Sequence, residues 1–448
     1  MRQRSRLALL AGYRTRTATI LSFLLLVSVQ FRNPFVLNAA DKLLRQVLLL
    51  AVFLPLGDRW TIDTLRDADS DTGRELNGES SVRSGKSDRG TVVRSGTGPG
   101  FESDDRVTTP ATAAMLVSIV VVFVNNALRK AEGELWYIGE ALDYALRQDH
   151  LTTLLGDVVA TYPLFLEGAT YGWTGLVTGA PLVLLLTGRR RIAYVAAFLA
   201  AVTGMALSMA VGLFPAVLAA AFLLFLPPRV WDALEGAADR VAGLERAAAV
   251  GRRATDRLPR SRPVGSVLSD PIRGWARRCW SLVLVGVLIV VVLWSVALVG
   301  AGSSVEPIDS LDLEDHQWRM FAPDPSTSYG WYVVAAQVDG GEDVDVLCRG
   351  ELEADRPPDA ADTIPTFRWR RYLDSIADDD ELAAQFAVSM CERARTWADA
   401  PVETVTVTYT EQQIQLDGEP PPPETVEVIE RSCSNDRNAE LQPVPTVG

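Results

Sequence analysis

The stretch ATAAMLVSIVVVFVNNALRK, residues 111–130, decides what kind of protein this is. From Ala111 to Leu128 it carries no charge, close to the roughly 20 apolar residues a helix needs to cross the hydrocarbon of a bilayer. It then closes on Arg129-Lys130, polar groups suited to a membrane border. Outward from it, Thr17–Phe31 and Leu43–Leu56 read as a pair of spans joined by residues 32–42, and Leu176–Leu186 as a weaker, Gly-flanked one. The apolar tract Ile192–Leu226 is too long for one span, and Gly212 and Pro215 are its natural break points, giving a hairpin or a strongly bent helix. Ser281–Val299 is the last span. The predicted fold is a mostly α polytopic membrane helix bundle of about seven spans, over residues 1–301, followed by a C-terminal extramembrane α+β domain.

Charge divides the chain the same way. Its 448 residues carry a net charge of −13, yet residues 302–448 hold 31 Asp+Glu against 10 Arg, a local charge of 10 − 31 = −21. Such a field repels a phosphate backbone, so no nucleic-acid partner is expected. Only three of the 43 basic residues are lysine (Lys42, Lys86, Lys130), and the acidic, lysine-poor composition suggests a salt-loving, halophilic archaeon-like host. Arg189–Arg191 and the Arg-rich loop 227–278, with eleven Arg against six acidic residues, should face the cytoplasm under the positive-inside rule. Threading seven spans then places the acidic domain outside a multi-pass cell-membrane protein. Residues 58–110 read as a polar loop, too hydrophilic to bury a core.

Within residues 302–417, period-2 alternation predicts strands at Trp331–Val338, Asp343–Leu347 and Val402–Tyr409, with a helix over Glu381–Trp397 that starts after Asp378-Asp379-Asp380. Residues 418–448 are a proline-rich stretch with one further strand, Thr425–Ile429, and a tail. Four cysteines, three of them in the acidic domain, allow at most one disulfide plus a free thiol there, with the pairing open. No CxxC spacing and no paired histidines point to a metal; His150 and His316 read as surface residues.

The densest polar cluster at a span end is Asn125-Asn126-Ala127-Leu128-Arg129-Lys130. Asn126 and Lys130 are four apart and share a helix face. Withdrawal from water is what turns a lysine amine into a usable base, so Lys130 is the catalytic candidate, against the plainer reading of a helix-end lysine that snorkels. Residues 134–148 place Leu135, Ile138, Leu142 and Leu146 on one side, with Trp136 and Tyr137 at headgroup level, as a helix lying along the outer interface. Glu167 is an acid in an otherwise apolar region, a pocket candidate with Asn126 and Trp136, or else an interface residue.

Several segments taken together carry a resemblance. RNPFVLNAADKLLRQVLLLAVFLPLGDRWTID (32–63), the stretch from Lys130 through Trp136 to GEALDYAL (139–146), MAVGLFPAVLAAAFLLFLPPRVW (209–231) and WRMFAPDPSTSYGWYVVAAQVDGGEDVDV (318–346) resemble, in order and spacing, the HTTM (horizontally transferred transmembrane) domain family, relatives of vitamin K-dependent γ-glutamyl carboxylase. The resemblance implies a lysine acting as base on a reduced quinone, which with oxygen yields a stronger base that removes a γ-proton from a glutamate so that carbon dioxide adds. Lys130 matches that position, and Trp136 would shape the site. The chain departs from the pattern where the carboxylase has two histidines: Val202 stands at one, and Asn38-Ala39-Ala40 near the other. Three functions follow as expectations: a quinone-linked membrane enzyme, a non-catalytic scaffold whose acidic domain binds an extracellular protein or peptide, or a small-solute transporter using Glu167.

Overall fold

The computed structural model describes residues 14–54, 110–148, 151–238, 321–340, 343–347, 350–352, 366–377, 379–396 and 400–433, with isolated positions between them. Most of the predicted span 281–299, residues 58–109 of the predicted polar loop, most of the Arg-rich stretch 227–278, both histidines and residues 434–448 lie outside the described residues. The described chain is helix-rich with one small antiparallel sheet.

Helix α1 (Thr15–Gln30) and helix α2 (Ala39–Ala51) are the first predicted pair, and both are shorter than a full span. Sequence chemistry sets the start of α2. The Asn38 side chain accepts from the Asp41 amide while the Asp41 carboxylate accepts from the Asn38 amide, a reciprocal capping box. Helix α3 (Pro110–Lys130) realises the opening stretch, and its Ala111–Lys130 portion is long and apolar enough to cross a membrane. After it the predicted interfacial helix is two short pieces, α4 (Leu135–Ile138) and α5 (Ala141–Leu146). The break falls at Gly139, whose φ of 91° is a conformation that side-chain-bearing residues rarely hold.

Helix α6 (Gly156–Ala160), α7 (Pro163–Thr178) and α8 (Leu182–Leu185) follow. The predicted span Leu176–Leu186 therefore straddles a helix end, because Gly179-Ala180-Pro181 breaks the ladder between α7 and α8. Helix α9 (Gly188–Ser208) is the second helix long and apolar enough to cross. The long apolar tract breaks where expected. Gly212 sits at φ 65°, α10 (Phe214–Leu223) restarts with Pro215 in its first turn, and α11 (Pro228–Ala238) leaves it at a bend of 104°.

Three phenylalanines lock α3, α9 and α10 together. Phe198 and Phe222 stack with centroids 3.4 Å apart, and Phe123 meets both edge-on at 5.2 Å. Such ring pairs contribute roughly 0.5–1.5 kcal/mol each beyond the area they bury. Val202 is buried in this same core.

The C-terminal part is a five-stranded antiparallel sheet in the order β3-β2-β1-β4-β5, built from β1 (Ser328–Val338), β2 (Val344–Asp345), β3 (Gly350–Glu351), β4 (Val402–Gln413) and β5 (Glu424–Ser432). Prolines 420–423 lie in the connection between β4 and β5, and β5 pairs with β4 along its length. Helix α12 (Phe367–Ile376) and α13 (Asp380–Arg395) accompany the sheet, with Leu373, Phe386 and Met390 packed in one core with Val334, Val405 and Val407. Asp379 caps α13 by accepting from the Leu382 amide. The periodicity did not reveal α12, since FRWRRYLDSI carries three arginines among its apolar residues. Cys391 of α13 is bonded to Cys433 just beyond β5, closing 42 residues of sequence.

Replacing Cys391 and Cys433 together by serine should lower the stability of this domain by about 2–4 kcal/mol, the usual contribution of a disulfide closing a loop of this length. Urea denaturation of the oxidised protein against the double variant measures it, and an unchanged midpoint contradicts the pairing.

Candidate functional site

The site forms where α3 ends beneath the segment leading into β1. Lys130, the last residue of α3, is 1% exposed. Its Nζ donates to the Phe321 carbonyl at 3.0 Å and lies 3.0 Å from the centroid of the Trp136 ring. Trp136, equally buried, donates through Nε1 to the same carbonyl at 2.9 Å. A buried amine is costly unless it finds partners, and here it has one strong acceptor and the negative face of an indole.

Phe321 is held in a conformation few residues adopt. Its φ is 46°, in the left-handed region, and the Ala322-Pro323 peptide bond just beyond it is cis. Left-handed backbone at a non-glycine costs roughly 1–3 kcal/mol and persists where surrounding contacts over-determine it. Two donors converging on one carbonyl are such contacts. Three residues on, Asp324 accepts from the amides of Glu134 and Leu135 at 2.9 and 3.0 Å, satisfying N–H groups at the start of α4. Gly133 makes this approach feasible, since a Cβ there would lie 2.5 Å from the Asp324 carboxyl carbon. Gln148 adds a bond to the Ser326 carbonyl, and Arg368 of α12 pairs with Asp41 of α2 at 2.6 Å. Six hydrogen bonds thus fasten residues 321–326 and α12 to the helices that begin or end beside them.

Two cavities flank this knot. One, of about 350 Å³, is almost wholly apolar, with Trp136, Leu166, Trp173, Met205, Met209 and Phe321 among its walls. The other, of about 400 Å³, is mixed, with Lys42, Gln148, Asp324, Arg370, Arg371 and Asp374 on its border beside apolar residues such as Leu151, Val211 and Phe214. Phe321 borders both. Burial holds the Arg370 guanidinium below the ordinary arginine range, at about 10, with Asp374 opposing the shift, so it is charged at neutral pH.

The predicted site residues are therefore divided. Trp136 is on the apolar wall. Lys130 stands directly behind it, holding the backbone of another wall residue. Asn126 is buried one turn earlier on α3. Glu167 is exposed and not on the cavity wall, although its neighbour Leu166 is; its side chain lies over Gly139, where a Cβ would meet Glu167 Cγ at 2.7 Å. Asp324 and Phe321 escaped the sequence reading, and the available signal was FAPDP, a compact proline-flanked acid just ahead of a strand. Among the described residues, no group of three His, Cys, Asp or Glu could hold a metal ion.

No family model matches the chain, and neither a curated protein nor a solved structure is similar to it.

Two glycine replacements should behave oppositely. Gly133→Ala pushes on the Asp324 carboxylate and is expected to destabilise by about 1.5–3 kcal/mol, the usual worth of hydrogen bonds to a charged group. Gly168→Ala, on an open face of α7, is expected to be neutral or to stabilise by up to about 1 kcal/mol. Thermal unfolding in detergent compares them, and equal effects would contradict the tight contact at Gly133.

Proposed function

We propose that the chain is a multi-pass membrane protein of the HTTM type, related to vitamin K-dependent γ-glutamyl carboxylase, with its C-terminal domain outside the cell. In this reading the apolar cavity takes a reduced quinone from the bilayer and Lys130 is the base. The observation that carries it is a buried lysine directly behind the wall of an apolar cavity. Aromatic walls and a volume of about 350 Å³ suit a fused ring and fall within the range of small-molecule sites, about 300–1,000 Å³. A reduced quinone supplies the electrons that, with oxygen, yield a base stronger than any side chain. Trp136, Trp173 and Phe321 would hold the ring and exclude water, and Lys130 would accept a proton at Nζ once that nitrogen releases the Phe321 carbonyl. The Cys391–Cys433 disulfide supports the outer location, because such bonds persist in oxidising compartments. Val202 and Ala40, both buried, and Asn38, which caps α2, stand where the resemblance has its histidines, so any carboxylase-like chemistry here proceeds without them.

A second reading rests on one specific observation. Lys130 and Trp136 both donate to the Phe321 carbonyl. That arrangement suits an anchor that docks the external domain, as a non-catalytic scaffold presenting an acidic surface to an extracellular protein or peptide would need.

Oxygen uptake by the purified protein with a reduced naphthoquinone separates the two. An enzyme should lose about 100-fold or more of its quinol-dependent uptake in Lys130→Met, the usual contribution of a general base. Gly204→Leu fills the cavity from α9 and should weaken quinol binding about 10-fold. Quinol-dependent uptake unchanged by Lys130→Met rejects the base and leaves the anchor.

A further inference from the structure

A groove of about 690 Å³ opens between the α1–α2 connection and helices α12 and α13, on different residues from those of the two cavities above. Its charge is anomalous. Arg32 and Arg368 are on its lining and no Asp or Glu is, although residues 302–448 carry three acidic residues for every arginine. Its apolar side is aromatic, with Trp369, Tyr372 and Phe386 clustered at centroid distances of 5.6–6.2 Å and Phe35 facing them from the α1–α2 connection. Asp41 takes one N–H group of the Arg368 guanidinium, which has four more to offer.

The level of the groove in the fold identifies its occupant. Arg32 lies two residues beyond the end of α1, an apolar helix whose Ile20, Leu21, Leu24 and Val29 are exposed and which runs into Phe31, 77% exposed. Exposed apolar residues on such a helix face acyl chains, and the arginine and aromatic residues just past its end fall at headgroup level. We propose that this groove binds an anionic membrane phospholipid, its phosphate paired with Arg32 and Arg368 and its glycerol and upper acyl carbons laid against Trp369, Tyr372 and Phe386. A free anion would use only the arginines. Asp41 already offsets the Arg368 charge, so the charge left to a ligand is that of Arg32, and a zwitterionic lipid, which carries its own cation, would leave it uncompensated. A lipid with net negative charge uses both halves of the groove.

The test uses the full chain, purified in detergent and titrated with phosphatidylglycerol, phosphatidylcholine or inorganic phosphate, with bound lipid counted by native mass spectrometry. Phosphatidylglycerol should be retained about 10-fold more strongly than phosphatidylcholine. Arg32→Gln should lose that preference and Arg32→Lys should keep most of it, while Arg431→Gln on β5 should leave it unchanged. Equal retention of both lipids overturns the proposal, as does phosphatidylglycerol retention that Arg32→Gln does not change. Displacement of the lipid by millimolar inorganic phosphate overturns it too, because the site would then be one for a free anion. Lipid-free melting curves of the variants confirm that each is folded.

Discussion

Lys130 is an amine kept out of water, and much of the site's arrangement follows from how it is compensated. Its bond to the Phe321 carbonyl and its place over the Trp136 ring draw the segment ahead of β1 down onto the end of α3. Trp136 adds a second donor to the same oxygen. The Phe321 backbone can then stay in the left-handed region, and Asp324 arrives at the start of α4 where two amides need an acceptor. Breaking one partner of a buried pair of this sort is costly, because the other is left unsatisfied.

The same knot separates two chemistries. On one side of Phe321 lies an apolar cavity among α4, α7 and α9; on the other lies a mixed one, carrying the charged side chains, among α2, α12 and the 321–326 segment. A single side chain borders both. Under the enzymatic reading, Phe321 is where a ligand drawn from the lipid and one drawn from water would come nearest to each other, with the Lys130 nitrogen at its backbone. Under the scaffold reading, the same contacts are a rigid joint between the helices and the sheet.

The fold was legible where one rule dominated. Uninterrupted apolar composition marked α3; Gly212 and Pro215 marked the break after α9; alternation marked β1 and β4; and the acidic run before Glu381 marked the start of α13. It failed where rules competed. Leu176–Leu186 carries no charge but contains Gly179 and Pro181, so backbone chemistry overrode hydropathy. In α12 the arginines of RWRR masked the apolar positions that pack against α13. Lys130 stood out as a polar end to an apolar run, and Trp136 as an aromatic expected at headgroup level, whereas the structure buries both and packs one over the other. Their common acceptor was not legible, since Phe321 lies 191 residues from Lys130 in sequence and no local pattern reports a contact of that range. Glu167 drew attention through its apolar neighbours, yet its position on α7 turns it away from the cavity that those neighbours line.

Hydrogen–deuterium exchange tests the knot most directly, in the wild type and in Lys130→Met, read on peptides covering residues 131–138 and 321–328. If the buried amine holds the two segments together, both lose protection in the variant by similar factors, while the β1–β4 ladder beyond Tyr332 exchanges as before. Loss of protection in neither segment, or in residues 131–138 alone, would contradict the claim that Lys130 fastens the C-terminal domain to the helices.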